Sequence, residues 1–215
     1  MSKDERKLSE KESQRKERFD SLCADMERKG YTAKPMTVGV VKANVLAVVI
    51  MLPFVILFAG LYFLFNPAGN FSISEDKMLL ELWAFVVLMF VFIVVHELIH
   101  GITWGIFARS HFRSIDFGVI WSMLTPYCTC SEPLKKWQYL LGAAMPTLIL
   151  GFALGAAATI LNSMLLLWLA EVMIFSGGGD FLIILKMLLY RSGGRDTVFY
   201  DHPTECGFVV FEKNK

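Results

Sequence analysis

The sequence predicts an all-α integral membrane protein of about four transmembrane helices, with a short cytoplasmic-side β-hairpin-like segment. Three observations predict it. Four apolar runs, 43–65, 79–108, 137–161 and 164–190, are long enough to cross ~30 Å of hydrocarbon, which takes about 20 residues. Charge is unevenly placed, with 11 of the 21 Lys and Arg falling before residue 43. Between 109 and 136, Ile115, Phe117, Val119 and Trp121 alternate with Asp116, Gly118 and Ser122 in strand fashion, apart from Ile120.

Taken in chain order, residues 1–42 form a charged arm that mixes eleven basic with eight acidic residues. Its Phe19, Leu22, Cys23 and Met26 recur at spacings of three and four, which predicts one amphipathic helix. That helix either lies on the membrane surface, held by its Lys and Arg, or is a solvated cytosolic helix leading into the first span. The first apolar run starts late and is long enough to span, so a cleaved signal peptide is not expected. The core of four spans covers 43–190, and 191–215 is a tail. The loop 66–78 carries one basic residue, Lys77, whereas 109–136 carries Arg109, Arg113, Lys135 and Lys136. The tail carries four and the Asn162-Ser163 connection none. The bias of Lys and Arg toward the cytoplasm then places both termini and 109–136 on that side, in agreement with an even number of spans. Cys23, Cys128, Cys130 and Cys206 all fall on the reducing side, so disulfides are not expected. Cys128-Thr129-Cys130 is spaced too closely for a structural zinc pair and reads as reduced thiols. No inverted repeat of the transporter kind is visible.

The second span contains His96-Glu97-Leu98-Ile99-His100, preceded by fourteen residues, Leu82 to Val95, without a charged side chain. On a helix, positions i and i+4 share a face, so His96 and His100 can grip one Zn2+ ion together. Glu97 can then deprotonate water that the metal has acidified. The bland reading is a pair of core histidines bonded to neighbouring helices. Ionisable groups at mid-bilayer cost ~2.5–3.5 kcal/mol each on insertion scales, so three within five residues call for a strong compensating partner.

A catalytic zinc normally takes three protein ligands. Thr103 and Ile106 stand where a metzincin would carry its glycine and third histidine, which excludes that family. Depth ranks the other candidates. At 1.5 Å per residue, His96 and His100 lie ~20 and ~14 Å above Arg109. Asp180 lies ~16 Å above Arg191, and Glu171 ~30 Å above it, near the opposite face. Asp180 is the expected third ligand. Gly177, Gly178 and Gly179 precede it, permitting either close helix approach or local unwinding. Pro146 lies near the same depth, where a kink either shapes a substrate channel or is tolerated packing. His111 and His202 lie beyond the helix ends, in capping or tail-packing positions.

With His96–His100, the Met145-Pro146-Thr147 span and Gly177–Asp180 in order, the chain resembles the putative zincin peptidase family of small bacterial membrane proteins. The likeness runs from about Gly30-Tyr31 to residue 215, including Tyr139 to Gly151 and the tail Tyr200-Asp201-His202-Pro203. More distantly it is similar to the site-two proteases. The resemblance implies a multi-pass zinc metalloprotease of the bacterial cytoplasmic membrane, with His96, His100 and Asp180 as ligands and Glu97 as general base. The expected partners are the lipid bilayer and a membrane protein or peptide substrate, with no nucleic acid. A strand or hairpin in 110–136 would either hold an extended substrate by β-addition or be a structural loop. The rival reading is a non-proteolytic metal-binding membrane protein, a transporter or scaffold using the same ligands. The outer half of the spans offers only Glu81 and Glu171 for an ion path, which favours hydrolysis.

Overall fold

Long uncharged apolar runs leave the backbone no partner in hydrocarbon except itself, so they form helices. In a computed structural model describing residues 10–67, 75–120 and 125–214, these are α2 (Val40–Phe65) and α3 (Glu75–Phe107). A third rod runs through α4 (Lys136–Pro146), a π-helical segment (Thr147–Ala153) and α5 (Leu154–Leu161). All three are long and apolar enough to cross a membrane. So are α6 (Met164–Ser176) and α7 (Gly178–Leu189) taken together, a pair bent by 45°, which makes three or four candidate spans. Val49, Ile56, Phe90 and Leu188 are among the apolar side chains these helices turn outward. The π-helical turn follows Pro146, whose missing N–H cannot continue the α ladder. The α5–α6 corner turns on Asn162, left-handed at φ 48°, whose Oδ1 accepts from the Tyr62 hydroxyl at 3.1 Å.

The all-α expectation needs correction. The alternating stretch does form a hairpin, β2 (Ile115–Ile120) antiparallel to β3 (Thr125–Cys130); Trp121 and Ser122 lie outside the described residues. A second, four-stranded antiparallel sheet was not expected. It is ordered β1-β6-β5-β4, from β1 (Tyr31–Thr37), β4 (Leu134–Lys135), β5 (Thr197–Asp201) and β6 (Gly207–Lys213). Tyr31 pairs with Lys213 and Thr37 with Gly207, so the two ends of the chain meet in one sheet. β6 carries five consecutive buried residues, Phe208 to Glu212, and therefore shows no alternation. One face, with Phe208 and Val210, packs toward Trp104, Tyr139 and Met187 at the helix ends. The other, with Val209 and Phe211, packs under α1 (Glu10–Arg28). A strand covered on both sides has no polar face to mark it.

Phe19, Leu22, Cys23 and Met26 of α1 lie against Tyr200, Val209 and Phe211. The helix expected from their spacing is present, and its apolar stripe faces the sheet, neither a membrane surface nor solvent.

Candidate metal centre

His96 and His100 project from one face of α3 and are buried. Their Nε2 atoms lie 3.3 and 3.4 Å from Oδ2 of Asp180. One ligand atom from each of the three residues falls within 4.8 Å of the others, so the group could hold a metal ion. Asp180 occupies the first turn of α7, just past the break at Gly177. A Cβ on Gly177 would collide with the Thr147 hydroxyl, and one on Gly178 would stand 2.8 Å from Ala47 Cβ. Close approach and a break in the helix thus occur together, and they carry the carboxylate to the histidines. Glu171, the rejected candidate, is buried on α6, its two carboxylate oxygens without a hydrogen-bond partner among the described residues, and lies outside this group.

The histidines are supported unequally. Nδ1 of His100 lies 2.8 Å from the Gly142 carbonyl of α4. A carbonyl accepts only, so Nδ1 carries a proton, and the neutral ring would present its Nε2 lone pair to a metal. Trp104 stacks on the His100 ring, centroids 4.9 Å apart and planes at 15°. Its indole N–H donates to the Tyr139 carbonyl at 3.2 Å. Gly142 is required here, because a Cβ would overlap the Trp104 indole. His96 Nδ1 is buried with no partner among the described residues. A donor set of two imidazoles and one carboxylate, with one tautomer already fixed, fits the chemistry of a zinc site with an open fourth position.

Glu97 is partly buried, and its carboxylate meets the backbone N–H of Cys128 on β3. Two residues on, the Cys130 N–H donates to Asp201 at 3.3 Å. The β3 edge facing away from β2 is therefore engaged by Glu97 and Asp201, so the hairpin braces the site along that edge. Asp201 also accepts from the Tyr139 hydroxyl. Burial pushes the Asp201 carboxyl up to about 6, against the pull of these two donors. Burial likewise pushes the Cys130 thiol up to about 12 and Cys128 well above its usual range, so both stay protonated, as inert thiols should. All four cysteines are free. His111, at φ 52°, turns its Nδ1 to the Gly105 carbonyl, and His202 Nδ1 accepts from the Glu205 N–H at 2.9 Å. Both histidines therefore close local turns.

Trp104, Tyr139, Gly142 and Asp201 are the participants that reasoning from the ligand motif missed. Tyr139 and Gly142 lay inside the stretch from Tyr139 to Gly151 that the resemblance singled out, and Asp201 inside the tail it singled out, 200–203.

Residues 88–193 match the putative zincin peptidase family. The zincin-peptidase stretch contains His96, Glu97, His100 and Asp180 together with Trp104, Tyr139 and Gly142. It ends before β5, so Asp201 is contributed from outside it. No curated protein matches the chain, and no solved structure does.

Proposed function

We propose that this chain is a membrane-embedded zinc metalloprotease hydrolysing peptide bonds of membrane or membrane-adjacent proteins. The observation that carries the reading is the convergence of His96, His100 and Asp180, with Glu97 beside the first of them on the same helix. His96 and His100 would hold the ion through Nε2, and Asp180 through its carboxylate. Zinc held there supplies Lewis acidity, which brings the pKa of water down toward ~7 and polarises a carbonyl. Glu97 takes the proton of the attacking water and returns it to the leaving amine. The Cys128 N–H of β3 faces the Glu97 carboxylate.

The centre sits on helices apolar enough to span a bilayer, which favours cleavage within or near the membrane. A spanning helix hides its carbonyls in hydrogen bonds, so its substrate must unwind locally before attack. In the orientation set by the basic residues, both termini and the two sheets lie in the cytoplasm, and water enters from that side.

The test compares purified, detergent-solubilised wild type with Glu97→Gln and Asp180→Ala. Glu97→Gln should keep its zinc and lose ~10²–10⁴ of the cleavage rate on membrane peptides, the range for general acid–base catalysis. Asp180→Ala should lose most of its zinc. Cleavage persisting at wild-type rate in Glu97→Gln would sink the hydrolytic reading, and unchanged zinc occupancy in Asp180→Ala would remove that ligand.

A further inference from the structure

The C-terminal segment lies outside the stretch matched by the family, yet its Asp201 stands where two supports of the metal centre meet. One arm runs through Tyr139. The phenol donates to Asp201 Oδ1, the Tyr139 carbonyl accepts the Trp104 indole N–H at 3.2 Å, and Trp104 lies flat on His100. One turn along α4 from Tyr139, the Gly142 carbonyl takes the His100 Nδ1. Fixing Tyr139 therefore fixes the helix turn that holds His100 by its edge and, through Trp104, by its face. The second arm runs through β3. Asp201 Oδ2 accepts the Cys130 N–H at 3.3 Å, and the Cys128 N–H on the same strand edge meets Glu97.

We propose that Asp201 is a positioning residue for the metal centre, aiming His100 through Tyr139 and Glu97 through β3. Neither carboxylate oxygen is spare, since each accepts one of the two donors. An Asn at 201 accepts through one oxygen only and turns its NH₂ toward the other donor. The sheet built from the chain ends then belongs to the working part of the molecule. The assignment rests on the metal centre proposed above, and its metal-binding consequences do not depend on turnover.

The experiment uses the full chain in detergent micelles, with Asp201→Asn, Tyr139→Phe and a control, Tyr31→Phe. The control removes another Tyr–Asp hydrogen bond, from Tyr31 on the edge strand β1 to Asp196, just before β5. Zinc affinity by chelator competition and the visible spectrum of the cobalt-loaded protein are read beside thermal unfolding. Asp201→Asn and Tyr139→Phe should each weaken zinc ~10–100-fold, the usual effect of losing an outer partner of a metal ligand. The cobalt spectrum should shift in both, and on a cleavable peptide kcat should fall more than KM rises. Tyr31→Phe should leave affinity and spectrum as in wild type. A merely structural role would lower the unfolding midpoint of all three and leave affinity and spectrum untouched, which would overturn the proposal. Wild type that binds neither ion overturns the metal centre and this proposal with it. Metal binding without cleavage removes the protease reading alone, and the affinity comparison then still decides the role of Asp201.

Discussion

Gly142 and Gly179 show how differently two glycines of one chain are used. At Gly142 a Cβ would overlap the Trp104 indole, whereas at Gly179 it would meet nothing within 4 Å. Gly142→Ala must therefore displace Trp104 or α4, and either movement disturbs the support of His100. We expect it to cost ~1–3 kcal/mol, as overpacking of a filled interior does, and to weaken zinc at least ~10-fold through the lost partner of His100. Gly179→Ala should instead be neutral or stabilising by up to ~1 kcal/mol, since alanine is the better helix former. Unfolding midpoints and zinc titrations of the two variants check the contrast. Equal behaviour would mean that the Trp104 contact does not constrain the site.

At the scale of the element, the end of the helix carrying both histidines is held by one carboxylate. Glu132, in the link between β3 and β4, accepts the Arg109 N–H at 2.7 Å, the Ser110 N–H at 3.1 Å and the Ser114 hydroxyl at 2.7 Å. Burial by itself raises its pKa, but these donors outweigh it and the carboxyl lies below the usual glutamate range. The sign follows from linkage. A folded-state pKa below the unfolded value of about 4.3 gives stabilisation that is present above that value. It is lost as pH falls through the folded-state value. Glu132→Gln should accordingly lower the unfolding midpoint at pH 7, and the gap to wild type should close on acidification below about pH 4. A gap that is independent of pH would remove the charge from the explanation.

For the molecule as a whole, α1 is the strap joining hairpin to sheet. Arg18 pairs with Asp116 of β2 at 2.8 Å, and Arg15 lies 4.4 Å from the centre of the Tyr127 ring on β3. Its apolar stripe covers Tyr200, Val209 and Phe211. An exposed ion pair contributes ~0–1 kcal/mol, whereas truncating a buried methionine costs ~2–5 kcal/mol. Met26→Ala should therefore loosen the sheet much more than Arg18→Ala, which would appear as faster limited proteolysis within 197–213. The reverse order would place the strap's strength in its charges.

Hydrophobicity sustained over some 20 residues is a local property, so the apolar runs 43–65, 79–108 and 137–161 lie within a few residues of single candidate spans, and 164–190 falls on a pair of helices bent by 45°. The i, i+4 pairing of His96 and His100 is local helical geometry, and the depth of Asp180 follows from rise per residue. The apolar helices and the grouping of His96, His100 and Asp180 were thus readable from local pattern. The sequence by itself did not determine the four-stranded sheet. β1 and β6 come from opposite ends of the chain, and β6 is buried on both faces and shows no period of two. Nor did it determine that Asp201 would reach Tyr139, that Gly142 would lend its carbonyl to His100, or that β3 would turn its edge to Glu97. Each of those contacts joins elements far apart in sequence, where local periodicity carries no information about the partner. Tertiary packing alone decided which groups hold His96, His100, Asp180 and Glu97 in place.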